Sequence, residues 1–158
     1  MVPLHGGYLA TLFAMDRFMQ VAIDEARAGW EEGGIPIGSV LVRDEVILGR
    51  GRNRRVQDGD PITHAEIDCL RHAGRVGDYR RCTLYSTLMP CYLCSGAVVQ
   101  FRIPRVIVGE SETFAGGPEF MREHGVEVID LDLDVCKRMM RRFMAEHPEL
   151  WQEDIGEG

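Results

Sequence analysis

Two stretches limit what this chain can fold into: "THAEI", Thr63 to Ile67, and "PCYLC", Pro90 to Cys94. Each stands at a helix start behind a β-branched, apolar run. Helices that follow strands of one sheet begin at the same end of it, so His64, Glu66, Cys91 and Cys94 can converge on a single point.

The flanking pattern supplies the strands and helices. From Asp16 to Glu32, the residues Phe18, Val21, Ala22, Ala26 and Trp30 recur at three- and four-residue intervals, an amphipathic helix that Gly33 and Gly34 end. "IPIGSVLVRDEVILGRGRN" reads as a hairpin of two strands, with Asn53 where the second runs out. Thr63 is the expected N-cap of a helix carrying Ile67, Leu70 and Ala73, with Gly74 as its C-cap. "CTLYSTL" is a third strand stopped by Pro90, and "YLCSGAVVQF" a small-residue helix expected to be packed on both sides. "RVIVGE" and "VEVIDL" are two more strands, with the short helix "PEFMREHG" between them. "DVCKRMMRRFMAEH" is a longer helix with Val135, Met139, Phe143 and Met144 on its buried face, and the tail "PELWQEDIGEG" is acidic. The alternation predicts an α/β sandwich, with a mostly parallel sheet after the opening hairpin. One domain over residues 1–158 is expected, with residues 1–15 an ordered arm or a frayed extension.

Composition narrows the function classes. At 158 residues, 45% hydrophobic and 27% charged, the chain reads as one globular unit able to bury roughly two-thirds of its unfolded surface. No apolar run approaches the roughly 20 residues of a membrane span, and the N-terminus lacks a basic leader, so a cytoplasmic location with no membrane partner is expected. Five cysteines, an odd count at low density, suit a reducing compartment. A net charge of -7 opposes general binding to nucleic acid, and the clusters "RGRNRR", "RHAGRVGDYRR" and "KRMMRR" read as solvated surface.

Alone, the pair Cys91 and Cys94 fits a redox dithiol, half a zinc site, or chance. "HAE" decides among them, because one imidazole and two thiolates make three ligands of a tetrahedral zinc and leave the fourth position open. Helix N-termini favour thiolate over thiol. The open place takes a water whose pKa the metal lowers to about 7, and Glu66, two residues from His64, can move its proton without ligating the metal. H-x-E…P-C-x-x-C is the signature of zinc-dependent nucleobase deaminases. Cys69, Cys82 and Cys136 stand alone on apolar faces and read as core.

On these residues, and on "EEGGIPIG", "LYSTLMPCYLCSGA", "IPRVIVGE", "TFAGG" and "WQEDIGE", the chain resembles the cytidine and deoxycytidylate deaminase-like superfamily, and within it the fungal-type cytosine deaminases. The resemblance implies a three-layer α/β/α sandwich around a five-stranded mixed sheet, a homodimer, one zinc per subunit, and a small-molecule nucleobase as substrate. It implies zinc ligands at His64, Cys91 and Cys94, and a proton shuttle at Glu66. It places Asn53 on the pyrimidine edge, the Ala65 N–H on the ring carbonyl, and Asp154 on a ring N–H that only a free base carries. Phe114 and Trp151 would close over the ring, and Ile35 would form part of the floor. Two positions depart from the family: Met89 replaces a small polar residue before Pro90, and Tyr92 an acid between the cysteines. Both are expected beside the zinc, where Met89 could reshape the pocket. The implied reaction is cytosine to uracil and ammonia. The rivals are a transfer-RNA adenosine deaminase, a guanine deaminase, and a silent relative that binds nucleobases or nucleic acid.

Overall fold

The computed structural model describes residues 16–157, and the expectation for residues 1–15 lies outside them. Helix α1 spans Arg17–Glu31, capped by Asp16, whose carboxylate accepts from the Phe18 and Met19 N–H groups. Strands β1 (Gly38–Arg43) and β2 (Val46–Arg52) form the hairpin. Its turn holds Asp44 and Glu45 at φ of 50° and 65°, the left-handed pair that a twisted two-residue hairpin requires. A short helix α2 (Arg55–Asp58) and helix α3 (Ala65–Ala73) follow. Next come β3 (Cys82–Ser86), α4 (Tyr92–Gln100), β4 (Arg105–Val108), α5 (Pro118–Glu123) and β5 (Glu127–Asp130). Helices α6 (Asp134–Glu146) and α7 (Pro148–Asp154) complete the described residues.

The five strands lie in the order β2-β1-β3-β4-β5. β1 is antiparallel to both its neighbours, whereas β3, β4 and β5 run parallel. Strand alternation sends Val40, Val42 and Tyr85 to one face, where they meet α1 and α6 through Met19, Ala22, Ile23, Cys136 and Met139. Leu41, Leu84, Val106 and Val108 face the other way, onto Cys69 and Leu70 of α3, Val98 of α4 and Met121 of α5. These are the three expected layers. Cys69, Cys82 and Cys136 are all buried in them. Two glycines let helices lie close: a Cβ at Gly38 would stand 1.9 Å from the Ala22 carbonyl, and one at Gly51 would stand 2.3 Å from the Cys69 nitrogen. Among the described residues no helix is long and apolar enough to cross a membrane.

Three expectations change. Thr63 does not cap α3: its hydroxyl goes to Asp60, whose carboxylate also accepts from the Ile62 and Thr63 N–H groups, and the cap falls to His64. α4 is covered on one side only, with Cys94, Ser95 and Val98 buried while Tyr92 and Leu93 are exposed. The buried face of α6 is Cys136, Met139, Met140 and Phe143, with Val135 and Met144 only partly covered. The acidic tail is a helix, α7, opened by Pro148 at its first turn.

Candidate active site

His64, as the N-cap of α3, makes no side-chain bond to its own helix, which leaves the ring free. Cys91 holds the same place on α4. Nδ1 of His64 lies 3.4 Å from the Cys91 sulfur and 3.7 Å from the Cys94 sulfur, and the three ligand atoms are all within 4.8 Å of one another. One imidazole and two thiols at these separations fit a tetrahedral zinc with its fourth position open. The Cys94 bond and the His64 contact outweigh burial and push Cys91 down to about 4, which makes it a thiolate at neutral pH. The same bond, with burial, pushes Cys94 up. The other ring nitrogen of His64 lies 3.5 Å from Oδ1 of Asp154, so a carboxylate backs the ligand.

A narrow cavity of about 30 Å³ opens beside this triad, lined by Ile37, Asn53, His64, Ala65, Glu66, Leu88, Met89, Cys91, Phe114, Trp151, Asp154 and Ile155. Glu66 is buried, and Oε1 accepts from the Ser86 hydroxyl at 2.7 Å. Burial pushes its carboxyl up, as does the charge of Cys91, and the Ser86 bond works against them. Ala65 is the first residue of α3, so its N–H has no acceptor within the helix. Asn53 is fully buried, with Oδ1 accepting the Arg55 N–H at 3.0 Å and Nδ2 without a partner among the described residues. Asp154, at the end of α7, receives Nη1 of Arg55 at 2.5 Å. Phe114 and Trp151 meet edge to face with centroids 5.6 Å apart. The Phe114 loop is tied down by buried Glu110, which accepts from the Thr113 N–H at 2.9 Å.

The structure thus gathers the expected residues with one exception. Ile35 does not line this cavity; Ile37, two residues on, takes the place, and Ile35 lines a neighbouring groove with Arg55, Val56 and Leu150. The two isoleucines precede β1 in a tight turn where the Ile37 N–H donates to the Ile35 carbonyl at 2.8 Å, so no strand alternation in the sequence could choose between them. Ser86 and Arg55 were missed. Their partners are 20 and 99 residues away, and neither stands in a motif that signals the contact.

The model for the cytidine and deoxycytidylate deaminase zinc-binding region matches residues 14–110. The chain is 43% identical to the cytosine deaminase of Candida albicans over 142 residues, covering 88% of this chain and 95% of that one. It is 36% identical to a tRNA-specific adenosine deaminase of Buchnera aphidicola over 132 residues, 82% of this chain and 87% of that one. Among solved structures, a tRNA deaminase that edits A to I at the wobble position superposes with a TM-score of 0.70 at 31% identity, covering 77% of this chain and 97% of the other. The guanine deaminase of Bacillus subtilis gives a TM-score of 0.55 at 31% identity, over 72% of each chain.

Proposed function

The chain belongs to the cytidine and deoxycytidylate deaminase zinc-binding family, a zinc-dependent aminohydrolase by that membership, and from this premise we propose that it deaminates free cytosine to uracil and ammonia. The observation that carries the choice of base is Asp154. A buried carboxylate on the cavity wall accepts a ring N–H, and cytosine carries one at N1, where a nucleoside carries its sugar. On the same cavity, Nδ2 of Asn53 and the N–H of Ala65 are two donors for the two lone pairs of the O2 carbonyl.

In this reading His64, Cys91 and Cys94 hold the metal, which when bound supplies a Lewis acid that activates a water at neutral pH. Glu66 takes the water's proton and delivers it to N3, which makes C4 electrophilic. The oxygen adds at C4, Glu66 then takes the second proton from that hydroxyl and passes it to the exocyclic amine, and the C4–N bond breaks as the C4 carbonyl forms, releasing ammonia. Ser86 holds one carboxylate oxygen, so the other makes both transfers. Phe114 and Trp151 exclude bulk water from the ring.

Transfer-RNA deamination is the nearer rival, given those relatives. It needs cations facing phosphates. The arginines of "RGRNRR" face acids instead: Arg50 and Arg52 meet Glu25, Arg54 meets Asp58, and Arg55 meets Asp154. The remaining proposals are a single domain over 1–158, a cytoplasmic place in pyrimidine salvage, and a homodimer. The half-exposed apolar groove of Ile67, Tyr79, Leu93, Ala97 and Phe101 offers the dimer a surface. Sedimentation at micromolar concentration tests it, and a monomer refutes it.

The deciding experiment is ammonia release from cytosine, isocytosine, cytidine, adenine, guanine and transfer RNA by the zinc-loaded protein, with Glu66→Ala alongside. Turnover of cytosine and not cytidine, lost in the variant, is the expected result. Turnover of a purine or of transfer RNA in its place overturns the choice of substrate.

A further inference from the structure

Asn53 at the end of β2 and Asp154 at the end of α7 are brought to the cavity by unrelated elements, and one residue touches both. The Arg55 N–H donates to Oδ1 of Asn53 at 3.0 Å, and its Nη1 donates to Oδ1 of Asp154 at 2.5 Å. Resting on the cytosine reading above, we propose that Arg55 is the positioning residue that sets the cavity's donor and acceptor code. Its main chain commits Asn53 to present Nδ2, and its guanidinium commits Asp154 to present Oδ2.

Both groups are ambiguous without such a partner. An amide can present its oxygen or its nitrogen to a ligand, and rotation exchanges them. The N–H of Arg55 only donates, so it selects the oxygen, and Nδ2 is left as a buried donor without a partner among the described residues. A buried donor of this kind is costly until a ligand carbonyl fills it. On the acid, Oδ1 is occupied twice, by Arg55 and by the approach of His64 at 3.5 Å, so the remaining oxygen is the one that reads the base. The Arg55 side chain is 11% exposed and that of Asp154 is 6% exposed, so little water competes for this charge-assisted bond. A second acid, Glu153, stands 3.5 Å from Nη2 but is largely exposed, and it adds reach rather than direction.

A mere tether for α7 would be the structural alternative, and the two differ in what they do to substrate preference. Cytosine and 1-methylcytosine share every edge except the N1–H that Asp154 accepts. The test is kcat and KM on both substrates, with zinc content and melting temperature, for the wild type, Arg55→Met, Arg55→Lys and Asp154→Asn. Positioning by Arg55 predicts that Arg55→Met lowers kcat/KM on cytosine by about 10- to 100-fold, chiefly through KM, the loss of one hydrogen bond to a charged group. The preference for cytosine over 1-methylcytosine shrinks by a similar factor, and Arg55→Lys gives an intermediate preference. Should Arg55→Met not fold, Arg55→Lys decides alone, since its ammonium lacks the guanidinium's reach and fork. Equal losses on both substrates, with the preference unchanged, overturn the inference alone. A zinc-loaded wild type inert on cytosine overturns the substrate reading and the inference together.

Discussion

Removing the Ser86 hydroxyl tests whether Glu66 acts as a held, two-station proton carrier. Ser86 is fully buried on the last position of β3, and its hydroxyl donates to Oε1 of Glu66 at 2.7 Å. Ser86→Ala deletes that donor with little change of shape and leaves a buried carboxylate oxygen without it. A hydrogen bond to a charged group contributes about 1.5–3 kcal/mol, an upper bound of about 10- to 150-fold in rate if all of it were felt at the barrier. Glu66 is charged both before and after it carries the proton, so part of the bond is common to ground and transition states. The expected loss is therefore about tenfold in kcat, with KM within about twofold, because the base itself touches Asn53, Ala65 and Asp154 in the proposed pose. Steady-state ammonia release gives both constants, and zinc content by metal analysis confirms that the triad is intact. In the double variant with Glu66→Gln the Ser86 change should cost nothing further, since there is no carboxylate left to hold. A Ser86→Ala enzyme with kcat within twofold of the wild type, or with the loss confined to KM, would refute the reasoning.

Stripping zinc with a chelator should abolish ammonia release and expose a thiol to a chromogenic disulfide reagent. Cys91, which is only partly buried, should react readily, while the buried Cys69, Cys82, Cys94 and Cys136 stay silent until the protein loosens or unfolds. Gly51→Ala pushes a Cβ to within 2.3 Å of the α3 backbone, which cannot swing aside as a side chain could. The expected cost is about 1–3 kcal/mol, read as a lower denaturation midpoint. Burial pushes the Cys136 thiol up to about 12 from an ordinary value near 9, so the native state keeps its proton where the unfolded chain loses it. Its contribution to stability is whole below pH 9 and falls as pH rises from 9 to 12, at about 1.4 kcal/mol per pH unit. Denaturant titrations across that range should show a shallower decline in Cys136→Val, and an identical slope would show that the thiol is not the cause.

The zinc triad and Glu66 were legible because each lies in a short segment whose spacing is its meaning. The strands and long helices were legible for a related reason: Phe18, Ala22 and Ala26, or Val40 and Val42, repeat with the period of the element that buries them. What could not be read is what depends on a second segment. The helix α7 hides in a tail where Trp151 is the one fully committed apolar residue, and only Pro148 announces it. Its contact with the site runs through Arg55, 99 residues earlier in the chain. On α4 the pattern was apolar on both sides, and periodicity cannot say whether the second side meets this chain or another surface, so Leu93 and Phe101 were placed in a core that does not cover them.

The departures from the family at Met89 and Tyr92 bear differently on the proposed substrate. Tyr92 is 78% exposed and flanks Gly117 from outside, so it does not shape the space for the ring. Met89 does reach the cavity, but it also belongs to the core beneath the sheet end, and its side chain lies against Gly116 in the loop that carries Phe114. A Cβ at Gly116 would come within 2.5 Å of Met89 Cγ, and Gly116 has a φ of +64° that other residues adopt with strain. The loop thus makes room for the long side chain by lacking one of its own and by turning left-handed at that point. Asn53, Ala65 and Asp154 stand on other elements, so the groups proposed to read the base do not depend on what residue 89 is. In the proposed reading Met89 would bear instead on the closure over the ring, because its side chain packs against the loop that seats Phe114.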